Sequence, residues 1–478
     1  MADRGVVLMT AAKETSRPEG RPRPEGNLGG TAGDRTQGRV SLPAKLARVN
    51  EVARSSRQIR FTALLHHVDD EALTRAFERQ RRAASAGVDG VTVGEYEQNL
   101  DANIRDLCDR VHSGRYRPQP VRRTYIPKAD GKEKRPLGIP ALEDKIVQGA
   151  VAEVLSAIYE VDFLGFSYGF RPRRNPHQAL NALQTALMKE RINWVLDADV
   201  RSFYDSVDHE WLLRMMAHRI ADPRILRLIR QWLRAGVLEE GEWRLTEVGT
   251  PQGAGISPLL SNIFLHYAFD LWSHAWRSQQ ARGRVIVVRY ADDFVMGFEH
   301  ESDARKMLAD LKERLAKFQL TLHEGKTRLI MFGRFAVERR KERGLDRPET
   351  FDFLGLTHFC GETRNGRFIV KRKTQRKRMI RKLKQLRLEM RRRMHTPVKD
   401  QWQWLCAVLR GHYAYYGLAG NSRSMRRFYR EVVAQWQRVL HRRSQKAKMF
   451  GPRFFKLLLR LPLPRPIITD PYRGAPVR

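Results

Sequence analysis

The residues with the clearest chemistry are two adjacent acids, Asp292 and Asp293, in the run RYADDFVMGF from Arg289 to Phe298. Neighbouring carboxylates repel unless a cation sits between or above them. A divalent metal is the usual resolution, because Mg²⁺ is held by one or two carboxylates together with substrate phosphates. A solvated Asp-Asp turn is the plain alternative for the tetrapeptide alone. A third acid shifts the balance. Asp199 lies in NWVLDADVRSFYDSVDH, near the end of the apolar stretch Val195 to Val200 and ahead of Phe203 and Tyr204. Three carboxylates brought to one spot are what two-metal phosphoryl transfer requires.

Such acids need strands beneath them. RVIVVRY is rich in β-branched residues and predicts a buried strand, FVMGF predicts its return, and Ala291, Asp292 and Asp293 fall at a tight hairpin turn. Around this centre the chain has 478 residues, enough for two or three domains. Its 89 Lys and Arg outnumber 53 acids, for a formal charge of +36 and a pI near 10.7. That excess implies a polyanionic partner, most simply nucleic acid held through its phosphates. An anionic membrane surface is the alternative, but no apolar run nears the roughly 20 residues of a membrane span. Cys108, Cys360 and Cys406 are scattered, which indicates neither a zinc knuckle nor a disulfide framework and fits a reducing, intracellular setting. The opening MADRGVVLMTAAKE has too short an apolar patch for a signal peptide.

Read in order, residues 1–43 are a Pro-, Gly- and Arg-rich extension expected to be disordered. Helical periodicity runs from Ala44 to Arg82 and again through Tyr96, Leu100, Ile104, Leu107 and Val111. PVRRTYIPK and KEKRPLGIP predict a hairpin turning at Asp130-Gly131, with Lys128, Lys132, Lys134 and Arg135 at one end. Those cations form either a solvated face or a polyphosphate clamp. Helices are expected over His209–Ile220, Pro223–Leu238 and Ser302–Phe318. Between them GTPQGAGISPLL offers a Gly-rich loop that a ligand can approach closely. The last third begins with KRKTQRKRMIRKLKQLRLEMRRR, an amphipathic helix with apolar Met379, Leu383, Leu386 and Met390 and an intensely basic outer face. GHYAYYGLAGN, between later helices, supplies tyrosines for an RNA groove or for a core, and at least Tyr413, Tyr415 or Tyr416 is expected to be core.

These motifs together resemble the group II intron-encoded reverse transcriptase and maturase family. YADDF with an upstream D-V-x-x-F-Y-D looks like the palm; Tyr116 to Pro140 and SYGFRPRRNPHQAL look like the fingers; PQG with SPLL, Lys326-Thr327 and FDFLGLTHF occur in the family's order. The basic C-terminal third resembles the thumb and maturase domain X. The resemblance implies an α+β right-hand polymerase: fingers and palm over 44–370, an α-helical thumb and domain X over 371–450, and a tail over 451–478. It implies that Asp199, Asp292 and Asp293 are catalytic and hold two Mg²⁺ ions, with Asp293 in an electrostatic supporting role. Lys128, Arg135, Tyr204, Gln252 and Lys326 would contact the nucleotide, Tyr204 gating against a 2′-hydroxyl while Phe203 packs. Tyr168, Arg171, Arg173 and Gly253, with Arg376, Lys377, Arg381 and Lys384, would contact template or intron RNA. Implied partners are intron RNA, an RNA template with a DNA primer, dNTPs and a DNA target site, with room for a homodimer, no membrane and a bacterial-type cytoplasmic location. Many relatives end in a Cys/His zinc endonuclease, an activity not expected here. His323 and His358 are given no cofactor role. A reverse transcriptase of a phage-defence or CRISPR-linked system, or an RNA-binding splicing factor without polymerase activity, are the competing readings.

Overall fold

The computed structural model describes residues 43–127, 134–239, 242–244, 249, 255–443 and 449–470. Its strands, in chain order, are β1 (Val121–Pro127), β2 (Lys134–Ile139), β3 (Trp194–Asp199), β4 (Val237–Glu239), β5 (Glu242–Arg244), β6 (Val285–Tyr290), β7 (Asp293–Phe298), β8 (Arg328–Met331), β9 (Phe351–Phe353), β10 (Leu356–Glu362) and β11 (Phe368–Thr374). They form three sheets, ordered β2-β1-β4-β5, β6-β7-β3-β8 and β11-β10-β9.

The second sheet positions the acids. All its pairings are antiparallel, and β3 lies between β7 and β8 with Asp199 opposite Asp293 and Asp197 opposite Val295 and Arg328. Side chains alternate across a strand, so register sorts this sheet into two faces. One face carries Leu196, Ala198, Phe294, Met296 and Phe298, all buried in the main core. Phe294 meets Phe269 there at a ring-centroid distance of 4.4 Å. The opposite face carries Val195, Val288, Val295 and Ile330, packed under the helix Pro176–Lys189 through Ala179, Leu180, Leu183 and Leu187. Asp197, Asp199, Asp293 and Tyr290 share that second face, at the end where the valines stop.

The helix Leu142–Asp162 is buried along most of its length, with Asp144, Gln148, Glu153 and Asp162 among its buried residues. Ala44–Ser55 and Asp70–Glu78 lie against it. Helix starts obey side-chain capping: Asp69 accepts the amide of Ala72, Asn175 and Gln178 form a capping box with Pro176 next, and Asp222 caps Pro223–Arg234. Where one amphipathic helix is expected through Tyr96 and Val111, two occur, Val93–Glu97 and Leu100–His112. The helix expected over 223–238 stops at Arg234, since Gly236 takes a φ of 77° and the chain then joins β1 as β4.

The C-terminal helices Arg376–Arg392, Val398–Tyr416, Ser422–His441 and Gly451–Arg460 bury Leu405, Leu409, Phe428, Val432 and Trp436. Trp436 is fully buried and donates its indole N–H to Gln401 Oε1 at 3.1 Å, the partner a buried tryptophan needs. Two expected boundaries shift. A division at 370 would cut β11, which runs to Thr374 and pairs with β10 along its length. The tail from 451 is no appendage: Phe454 and Leu463 sit in the helical core, and the carbonyls of Pro462 and Pro464 accept from Trp402 and Tyr413.

Candidate active site

β6 and β7 are joined by the two-residue turn Ala291-Asp292, because Tyr290 pairs with Asp293. Hairpin turns this short need positive φ at their first residue, and Ala291 supplies it at 58° without being glycine. The strain is held from beneath. Arg289, fully buried, donates from Nη1 to the Ala291 carbonyl and to Asn262 Oδ1, each at 2.9 Å, and makes a two-pronged bond to the Asp270 carboxylate, Nε to Oδ1 at 2.7 Å and Nη2 to Oδ2. Asn262 completes the frame by donating to the Gly169 carbonyl at 2.7 Å. Gly169 lies so close to the turn that a Cβ there would stand 2.2 Å from the Ala291 nitrogen. Asp270 reaches Arg289 from the end of a π-helical turn, His266–Asp270, inserted between Ser257–Leu265 and Leu271–Gln279. Such a turn rotates the downstream helix relative to a regular one and is frequent at functional sites.

The acids themselves are electrostatically crowded. Burial pushes the Asp293 carboxyl up to about 7, assisted by the charges of Asp292, Asp197 and Asp199, while Arg378 draws it back. Asp197 is raised to about 6, again by burial, with Arg328 opposing. Asp199 instead meets Lys326, whose Nζ is 2.7 Å from Oδ2. Among the described residues, no group of three or more His, Cys, Asp or Glu side chains could hold a metal ion by itself. The ammonium of Lys326 occupies Asp199, and Mg²⁺ takes part of its shell from substrate phosphates rather than from a protein cage. The donor set still suits a hard cation: all oxygen and half-buried.

Tyr204, half-buried, stands in the short helical turn Phe203–Asp205 beside a fully packed Phe203. Gly249, at a φ of 95°, passes so near that a Cβ would lie 3.0 Å from the Tyr204 carbonyl. The other expected contacts divide. Arg376, Lys377 and Lys384 are exposed on the outer face of their helix. Arg381 is half-buried in a groove of about 400 Å³ that it shares with Arg378, Lys382, His412, Tyr415 and Tyr416. Arg173 is exposed. Arg171 and Tyr168 are corrected. Arg171 is buried and spent internally, Nε on Glu160 and Nη1 on the carbonyls of Leu164 and Ser167, so its charge serves the loop instead of a strand outside it. The Tyr168 ring is likewise packed in the second core, with Arg174 over one face. Lys128, Gln252 and Gly253, and the side chain of Arg135, lie outside the described residues. His358 is a packing residue, stacked near Phe351 with neither ring nitrogen hydrogen-bonded.

Sequence reasoning missed Arg289, Asp270, Asn262, Asp197 and Arg378. A signal existed for two of them: an arginine closing VIVVRY and an aspartate inside HYAFDLW are charges in otherwise apolar elements, and these seek each other.

Residues 126–358 match the family model described as reverse transcriptase (RNA-dependent DNA polymerase). The chain is 39% identical over 243 residues to Protein YkfC of Escherichia coli, covering 45% of this chain and 63% of that protein. It is 40% identical over 185 residues to the group II intron-encoded protein LtrA of Lactococcus lactis, covering 38% of this chain and 30% of that one. Similarity at 31% identity extends over 280 residues, 56% of this chain, to 34% of a 91 kDa protein in the cob intron of Schizosaccharomyces pombe. The chain therefore spans less than two thirds of the length of each of these relatives. Among the described residues no helix is long and apolar enough to cross a membrane.

Proposed function

From the match of residues 126–358 to the reverse transcriptase model and the likeness to group II intron-encoded proteins, we propose an RNA-directed DNA polymerase that also assists the splicing and mobility of an intron RNA. The observation that carries the reading is the register Asp199 opposite Asp293 at a strained turn clamped by Arg289. A binding protein with no chemistry has little reason to hold crowded carboxylates on a clamped, left-handed turn.

In this reading the sheet β6-β7-β3-β8 is the palm, the β1–β2 hairpin and N-terminal helices are the fingers, and the C-terminal bundle is the thumb and maturase domain. Asp199 and Asp292 would hold two Mg²⁺ ions, with Asp293 tuning the site. Bound there, the ions would lower the pKa of the attacking 3′-hydroxyl and neutralise the departing pyrophosphate. The protein's own part is positioning: the Arg289 clamp fixes the turn, Tyr204 borders the sugar of the incoming dNTP and excludes a 2′-hydroxyl, and Lys326 exchanges its Asp199 contact for a phosphate when nucleotide binds. The exposed cations Arg376, Lys377 and Lys384 would grip intron RNA through its phosphates, a sequence-independent and salt-sensitive attraction.

Primer extension on an RNA template tests the centre. Asp292→Asn and Asp199→Asn should each lose essentially all extension, and in Asp292→Asn melting temperature should hold or rise, since an acid crowding Asp293 is removed. Substantial extension by Asp292→Asn would overturn the assignment.

A further inference from the structure

Beside the catalytic turn the fold spends strain on one aromatic residue. Phe170 has a φ of 55°, left-handed backbone that is an outlier for a bulky side chain. It nevertheless leaves its ring 50% exposed. The conformation is imposed from both sides. Tyr168 donates its backbone N–H to the Arg289 carbonyl at 2.9 Å, the Gly169 carbonyl accepts from Asn262, and Arg171 is anchored on Glu160. Gly169 abuts the nitrogen of Ala291, so the loop is seated on the turn that carries Asp292. The Phe170 ring lies 6.4 Å from that of Tyr290, the residue paired with Asp293 across the hairpin. An exposed ring gains nothing from burial, so the left-handed backbone at Phe170 is a cost with no packing return. Strain held in place by neighbours at a site is the observation from which a functional role is inferred.

We propose that Phe170 is a positioning residue that stacks on the terminal nucleotide of the primer, setting the 3′-hydroxyl against the carboxylates. The inference rests on the polymerase reading above. Aromatic faces hold unpaired or terminal bases by stacking, whatever the base, and a nearby cation on the backbone strengthens the hold. Arg173, exposed and also left-handed at a φ of 61°, stands three residues on to meet a phosphate. The primer is favoured over the template because Phe170 lies beside Tyr290, the residue paired with Asp293, and the strand end that must reach those acids is the one that is extended. The neighbouring Arg171 and Tyr168 are internal, so Phe170 carries the aromatic contact for this loop.

The test uses the full-length protein and a primer–template duplex with 2-aminopurine at the primer 3′ end or at the opposing template position, titrated without metal. In the parent protein the primer probe should change its fluorescence on binding more than the template probe. Phe170→Gly should lose that primer response and weaken primer–template binding by roughly 5- to 100-fold, the range for one stacked base. Its melting temperature should hold or rise, because glycine accepts the left-handed backbone freely. Phe170→Trp should retain the response. If Phe170→Gly melts lower and binds normally, the ring is packing and the proposal falls. If the template probe alone responds, the stacking partner is misassigned and the proposal falls. Should Asp292→Asn extend primers while Phe170→Gly still loses binding, the polymerase reading fails on its own account.

Discussion

Arg289→Met removes the cation that holds the Ala291-Asp292 turn, and its consequences separate stability from positioning. Arg289 and Asp270 are both 0% exposed. Deleting one partner of such a pair leaves a buried charge without compensation and costs about 3–5 kcal/mol, a large part of the 5–15 kcal/mol typical of folded domains. Burial already pushes the Asp270 carboxyl up even with Arg289 beside it. In the variant the carboxyl should therefore take up a proton instead of staying ionised, so the loss deepens as pH rises. Adding Asp270→Leu removes the stranded acid, and replacing both partners of a buried pair by apolar groups is often near neutral. The double variant should thus recover most of the stability lost by the single one. It should not recover activity. The Ala291 carbonyl has lost its 2.9 Å donor, the turn can relax from its left-handed φ, and a displacement of about 1 Å costs on the order of 100-fold in rate. Urea denaturation midpoints of the parent, both single variants and the double variant, with primer extension on each, provide the cycle. A double variant as unstable as Arg289→Met, or one that extends primers at the parental rate, would refute the reasoning.

Gly169→Ala forces a Cβ to within 2.2 Å of the Ala291 nitrogen, so the turn must move; extension should drop at least ~10-fold with a stability loss of about 1–3 kcal/mol, the scale of overpacking, seen by calorimetry. Burial, aided by Arg372, pulls His358 down to about 3, so the folded state stays neutral while the unfolded chain protonates below pH ~6.5. His358 therefore withdraws stability as pH falls, and the stability of His358→Phe relative to the parent should grow by about 1.4 kcal/mol between pH 7.5 and 5.5; an unchanged difference in denaturation midpoints contradicts this. Reversing Arg376, Lys377, Arg381 and Lys384 to Glu should reduce the salt dependence of intron RNA binding by about 0.9 in log–log slope for each phosphate no longer neutralised. Extension of a short pre-annealed primer should suffer less, and an unaltered slope in filter binding would remove this helix from the RNA surface.

The sequence by itself determined what short-range pattern can encode. β-Branched runs around Ala291 and Asp292 specified two strands and a turn, because such side chains favour a pleated, buried surface. The spacing of Met379, Leu386 and Met390 marked the buried stripe of the basic helix, and the cationic excess marked a polyanionic partner. What pairing and packing alone decide was not in the pattern. Asp199 meets Asp293 only through the antiparallel register of strands distant in sequence. Asp270 meets Arg289 only because a π turn aims it there. The exchange of roles in SYGFRPRR, where Tyr168 and Arg171 turn inward and Phe170 outward, depends on a left-handed φ that residue type argues against. Local preference sets what a residue would adopt alone; here the contacts of Gly169 with the Ala291-Asp292 turn and of Arg171 with Glu160 outweigh it, and those contacts exist only once the chain has folded.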